Sequence, residues 1–106
     1  VLGTGKMAGA LVRGWVQTGT LPPQNIRLHN RTTERAQMLS LATEARVSES
    51  AIEAVAEADA VLIAVKPWAV VETLTAVREA LPENALVLSV AAGVRLATMT
   101  EALRPA

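Results

Sequence analysis

Val1-Leu2-Gly3-Thr4-Gly5-Lys6-Met7-Ala8-Gly9 opens the chain and reads as the end of a strand, a glycine turn and the start of a helix. The spacing is G-x-G-x-x-A, with Ala8 as the third small residue. In a βαβ unit this pattern receives a dinucleotide. Gly3 permits the tight turn, Gly5 brings bare backbone against a pyrophosphate, and Ala8 keeps the helix close to the sheet. The helix start offers unpaired N–H groups and a partial positive charge, which suit phosphate. Taken alone, the motif also describes a glycine turn before an ordinary helix. A strand before it, a helix after it and a βαβ context are what give it meaning.

That context follows along the chain. Ala8, Leu11, Val12, Trp15 and Val16 form one apolar face at helical spacing, giving a helix from Met7 to about Thr18, with Gly19 and Pro22-Pro23 closing it. Trp15 lies on that face and reads as core. Asn25–Asn30 is a short, rather polar second strand. A helix then starts near Thr32, its N-cap, and runs to Leu41 or Ala42. Residues 45–47 make a minimal edge strand, and Ser50-Ala51-Ile52-Glu53 is a capping box opening a helix that ends near Ala58. The apolar run 60–65 reads as a buried parallel strand ended by Lys66-Pro67. The next helix carries Val70, Leu74, Val77 and Leu81. Residues 85–90 read as a further buried strand, residues 91–93 as a turn of small residues, and Leu96–Leu103 as the last helix.

Alternation of this kind implies an α/β, Rossmann-type doubly wound parallel sheet, with helices on both faces and strand order 3-2-1-4-5. Ligands on such sheets lie beyond the carboxyl ends of the strands. The turns Gly3–Ala8, Ala64–Pro67 and Val90–Gly93 all fall at such ends. Val1-Leu2 is too short for a strand of ordinary length, so the expected natural chain starts earlier.

The 106 residues suffice for one domain. Hydrophobic residues are 51% and aromatic ones 2%, so the core must be aliphatic. Absence of cysteine excludes a disulfide framework and a thiol nucleophile, and a single histidine, His29, makes a metal site a poor expectation. No apolar run reaches the ~20 residues that span a bilayer. The expectation is a soluble, cytoplasmic protein without membrane or nucleic-acid partners. Net charge is zero, yet Lys6, Arg13, Arg27, Arg31, Arg35 and Arg46 face only Glu34 and Glu44 in the first 46 residues. The basic half holds the glycine turn, which suits a small polyanion.

The second strand ends in Asn30-Arg31-Thr32, with no acid before Glu34. A site for NAD(H) usually places a carboxylate here on the adenosine ribose, whereas a 2′-phosphate calls for Arg or hydroxyl groups. Arg31 can pair with that phosphate bidentately, and Thr32 and the helix N–H groups can add hydrogen bonds. The charge argument favours NADP(H), with NAD(H) as the alternative. His29 is expected as a packed sheet residue or an adenine neighbour, and Lys66 as a further contact in the groove.

Gly3-Thr4-Gly5-Lys6-Met7-Ala8, Asn30-Arg31-Thr32, Ala64-Val65-Lys66-Pro67 and Ser89-Val90-Ala91-Ala92-Gly93-Val94 together resemble, in order, the N-terminal NADP-binding domain of pyrroline-5-carboxylate reductases. The resemblance implies hydride transfer from NAD(P)H to the C=N carbon of 1-pyrroline-5-carboxylate, giving L-proline. It implies that residues 2–8 hold the pyrophosphate and that Asn30, Arg31 and Thr32 hold the 2′-phosphate. Ala64, Val65, Lys66 and Pro67 would line the ribose, and Val90, Ala91 and Ala92 the nicotinamide side. The family often has Asn where this chain has Ala51, which removes one polar contact near the adenosine. It also continues into a helical domain that dimerises and builds the substrate pocket. The expected protein is therefore a homo-oligomer through a part lying outside this sequence. No residue here reads as catalytic, and the isolated fragment is expected to bind cofactor without turnover. Two other readings stand beside this one: a β-hydroxyacid dehydrogenase relative of the same two-domain design, and a non-catalytic NADP(H)-binding module.

Overall fold

Helices and short strands alternate through the residues that the computed structural model describes, 1–90 and 95–104. In chain order they are α1 (Lys6–Gln17), β1 (Arg27–Leu28), α2 (Thr33–Thr43), β2 (Arg46–Val47), α3 (Ala51–Val55), β3 (Ala60–Ile63), α4 (Val70–Val77), β4 (Leu86–Ser89) and α5 (Leu96–Leu103). Short 3₁₀ turns occupy Pro23–Asn25 and Pro67–Ala69, each opened by the fixed φ of its proline.

The strands pair in two parallel ladders. Arg27 and Leu28 of β1 face Arg46 and Val47 of β2, and Ala60–Ile63 of β3 runs in register with Leu86–Ser89 of β4. Leu2 lies between the ladders, with a parallel bridge to His29 on one side and to Ile63 on the other. Its N–H donates to Leu62 O at 2.9 Å and its carbonyl accepts from Ala64 N at 2.8 Å. The glycine turn therefore leaves the middle of the sheet.

Each face carries its own aliphatic core. Val12 of α1 packs with Ile26, Leu28, Ala45, and Ala36 and Leu39 of α2, while Trp15 covers the edge. On the other face, Leu2, Val61 and Ile63 meet Ala54 and Val55 of α3, Val70, Leu74 and Val77 of α4, and Met99 and Ala102 of α5. Burying these branched side chains, at roughly 1.5–3 kcal/mol each, is what holds helices to both faces of so small a sheet.

Several boundaries differ from the sequence reading. Asn25 belongs to the 3₁₀ turn that Pro22-Pro23 imposes, so the second strand is shorter than Asn25–Asn30. The third helix stops at Val55, because Ala56 leaves helical geometry and Glu57 turns to φ 66°. Leu81 lies beyond α4, which ends at Val77, though it still packs on the core. The run 85–90 is not buried on both faces. Leu86 and Leu88 point outward and are exposed, while Val87 and Ser89 are half-buried, since among the described residues β4 pairs only with β3. The turn of small residues that includes Ala91 and Ala92 falls outside the described residues.

Ser50 caps α3. Ser50 Oγ accepts from Glu53 N–H at 3.0 Å, satisfying one free donor of a helix only five residues long. Arg27 closes the other end, donating to the carbonyls of Glu53 at 3.1 Å and Ala56 at 2.9 Å. Ser50→Ala is expected to lower stability by about 0.5–2 kcal/mol, read as a fall in the urea midpoint at unchanged m-value. An unchanged midpoint would show that α3 stands on packing alone.

Candidate functional site

The carboxyl ends of the strands converge on one cleft of about 960 Å³. Its floor is the glycine turn, Leu2 to Ala8. One wall is His29, Asn30, Arg31, Thr32 and Arg35, and the other is Ala64 to Ala69 with Glu72, Thr73 and Ala76; Ala51 and Val90 also reach it. Every residue singled out in the sequence for this role lies here, except Ala91 and Ala92, which are not described. The volume is of the size that small-molecule sites occupy.

The two glycines of the turn do different things. Gly3 has φ +98°, and a Cβ there would stand 2.6 Å from the backbone carbon and oxygen of Ala64 and 2.8 Å from Val65 N. The fold itself demands glycine at that position. At Gly5 a Cβ would meet nothing within 4 Å, and φ −72°, ψ −169° is open to any residue. What a side chain there would fill is the cleft. Gly5 is the N-cap of α1, which has no side-chain cap and no acid in its first turn. Its leading N–H groups and dipole are thus left for an anion. Beneath the turn, Thr4 Oγ1 is buried without a hydrogen-bond partner among the described residues. Such a group costs stability unless something satisfies it.

Asn30 holds the turn in place. Its Oδ1 accepts from Thr4 N–H at 3.2 Å, and its Nδ2 donates to Thr32 O at 3.0 Å. The side chain therefore links the glycine turn to the start of α2 instead of standing free for a ligand. Thr32 is at the N-cap of α2, but its hydroxyl makes no cap bond, contrary to the capping role expected for it. Arg31 reaches across to α4, where its Nη2 lies 3.0 Å from Glu72 Oε1.

The cleft is cationic. Lys6, Arg31, Arg35 and Lys66 line it against the single carboxylate of Glu72. Burial holds the imidazole of His29 below its ordinary range. Sequence reasoning did not assign Arg35, Trp68, Ala69, Glu72, Thr73 or Ala76 to the site. Arg35 lies in the first turn of α2, just after Arg31 and Thr32. The five others stand on the α4 side, and only the topology brings them over the glycine turn.

An anion with extended polar and apolar parts fits these walls. Bare backbone and helix dipole meet negative charge at the floor, Arg31 and Arg35 stand on one wall, and Ala64, Val65 and Pro67 offer apolar surface beside Lys66 on the other. Among the described residues no group of three or more His, Cys, Asp or Glu could hold a metal ion, and no helix is long and apolar enough to cross a membrane.

The family model described as NADP oxidoreductase, coenzyme F420-dependent, matches residues 1–93. A pyrroline-5-carboxylate reductase of Arabidopsis thaliana is 35% identical over 102 residues, covering 94% of this chain and 36% of its own length. The structure of a pyrroline-5-carboxylate reductase from Coxiella burnetii superposes with a TM-score of 0.90 at 26% identity, covering 96% of this chain and 38% of that one. A pyrroline carboxylate reductase of Plasmodium falciparum, solved with NADP bound, superposes at 0.82 and 20% identity over 96% of this chain and 36% of its own, a likeness of fold alone. The chain thus spans little more than a third of the relatives it matches.

Proposed function

Because this chain belongs to the family described as NADP oxidoreductase, coenzyme F420-dependent, we propose that it is the cofactor-binding part of an NADP(H)-dependent reductase that converts 1-pyrroline-5-carboxylate to L-proline. The observation that carries the reading is the pair of glycines: Gly3 is required by packing, while Gly5 leaves the turn bare toward a cationic cleft. The similarity to pyrroline-5-carboxylate reductases over almost the whole chain supports the substrate.

The chain's own residues bind and orient. N–H groups at the start of α1 would donate to the pyrophosphate, with Lys6 adding charge. Arg31, helped by Arg35 and the Thr32 hydroxyl, would hold the adenosine 2′-phosphate. Asn30 keeps the two binding loops in register. Ala64, Val65, Lys66 and Pro67 would flank the ribose, and Val90 with Ala91 and Ala92 the nicotinamide. When bound, the nicotinamide supplies the hydride for the C=N carbon, and a proton from solvent completes the amine. No side chain of this chain is assigned a covalent or acid–base step; its contribution is position, which is a large part of such catalysis. The substrate pocket and a dimer interface belong, in this reading, to a helical domain outside this sequence, and the setting is the cytoplasm.

Purified intact protein given 1-pyrroline-5-carboxylate and NADPH is expected to lose absorbance at 340 nm and to form proline in equal amount. NADPH binding without imine-dependent oxidation would mark a binding module and overturn the proposal. Oxidation driven by the oxidised form of a β-hydroxyacid would instead assign the related dehydrogenase chemistry. The 106-residue chain alone is expected to bind cofactor and not to turn over.

A further inference from the structure

Among the described residues Glu72 is the lone carboxylate of the cleft, and it is in contact with the arginine assigned to the 2′-phosphate. The contact joins residues 41 positions apart, from the loop after β1 to the first turn of α4. There Glu72 also gains from the helix dipole. Nothing else in the described structure requires Glu72 to lie there: its side chain is 72% exposed and that of Arg31 82% exposed.

We propose that Glu72 is a specificity-determining residue that lowers the preference for a 2′-phosphorylated nucleotide by competing with the phosphate for Arg31. The proposal rests on the assignment of Arg31 given above. A 2′-phosphate must displace the Glu72 carboxylate from the guanidinium and then sit near a like charge. A nucleotide with a free 2′-hydroxyl leaves the ion pair intact. Glu72 thus penalises one class of ligand and not the other. The effect is modest, because an exposed ion pair is weak and screened.

The test is calorimetric titration of the intact protein at low ionic strength with adenosine 2′,5′-bisphosphate and with 5′-AMP, using E72Q, R31Q and the double variant. Neither side chain is buried, so the variants keep the fold. E72Q is expected to tighten the bisphosphate about two- to fivefold and to leave 5′-AMP unchanged. R31Q is expected to weaken the bisphosphate and to abolish the gain from E72Q. Unchanged or weaker bisphosphate binding in E72Q, with R31Q still harmful, overturns the proposal and spares the Arg31 assignment. An equal gain for 5′-AMP, or a gain that persists without Arg31, overturns it as a general charge effect. R31Q without effect on the bisphosphate overturns the Arg31 assignment itself.

Discussion

Gly3→Ala is expected to destabilise the fold severely, while Gly5→Ala, two residues on, leaves it folded and impairs nucleotide binding. At Gly3 the added carbon meets the Ala64 carbonyl at 2.6 Å in a left-handed backbone conformation. Two penalties combine: the strain of φ +98° on an L-residue and overlap with main-chain atoms that cannot rotate away. Together they amount to about 3 kcal/mol or more, a large share of the stability of a small domain. The overlap also forces Ala64 away from Leu2, whose carbonyl receives the Ala64 N–H at 2.8 Å, and so opens the sheet at its centre. Gly5→Ala meets nothing, and its unfolding free energy is expected within about 0.5 kcal/mol of the parent. Its cost falls on the ligand, because the methyl group enters the space proposed for the pyrophosphate. Denaturant titration paired with NADPH titration of the two variants reads both effects. A destabilised Gly5→Ala, or a stable Gly3→Ala, would contradict the division of labour between the glycines.

Arg31→Asp is expected to invert the cofactor preference. Removing a charge-assisted contact to phosphate costs about 1.5–3 kcal/mol, so NADPH affinity should fall roughly ten- to a hundredfold. The new carboxylate also repels the 2′-phosphate from beside Glu72. It supplies the acceptor that an adenosine ribose with free hydroxyls uses, so NADH should bind at least as well as before. Fluorescence titration can follow both cofactors, since Trp68 is exposed at the cleft and Trp15 is packed against the core. NADPH affinity unchanged in Arg31→Asp would remove Arg31 from the site.

Much of this was legible before the structure because hydrophobic pattern and turn chemistry agree. The run 60–65 has the β-branched content of a buried strand, and Val61, Leu62 and Ile63 are buried. Leu96–Leu103 is helical over its whole expected length, and Ser50 caps α3 as read. Run 85–90 shows the limit. Its apolar composition resembles that of 60–65, but whether both faces are covered depends on neighbours that a local pattern does not encode. Left-handed Glu44 and Glu57 carry no sequence signal, since glutamate is not a residue that favours φ near 66–68°. At the site, contiguous motifs disclosed the glycine turn and the end of β1. The double hydrogen bonding of Asn30 and the reach of Arg31 to Glu72 arise only when distant loops meet. A residue's type told what chemistry it could offer, and its neighbours decided what it does.

The most direct test of the central claim is NADPH titrated into the chain with backbone amide resonances recorded throughout. Saturable one-to-one binding is expected, with the largest shifts at Thr4 to Ala8 and at Arg31 and Thr32, and with NADH binding more weakly at the same floor. Absence of saturable binding, or shifts that leave Thr4 to Ala8 unmoved, would contradict a cleft built around bare backbone for a phosphorylated dinucleotide.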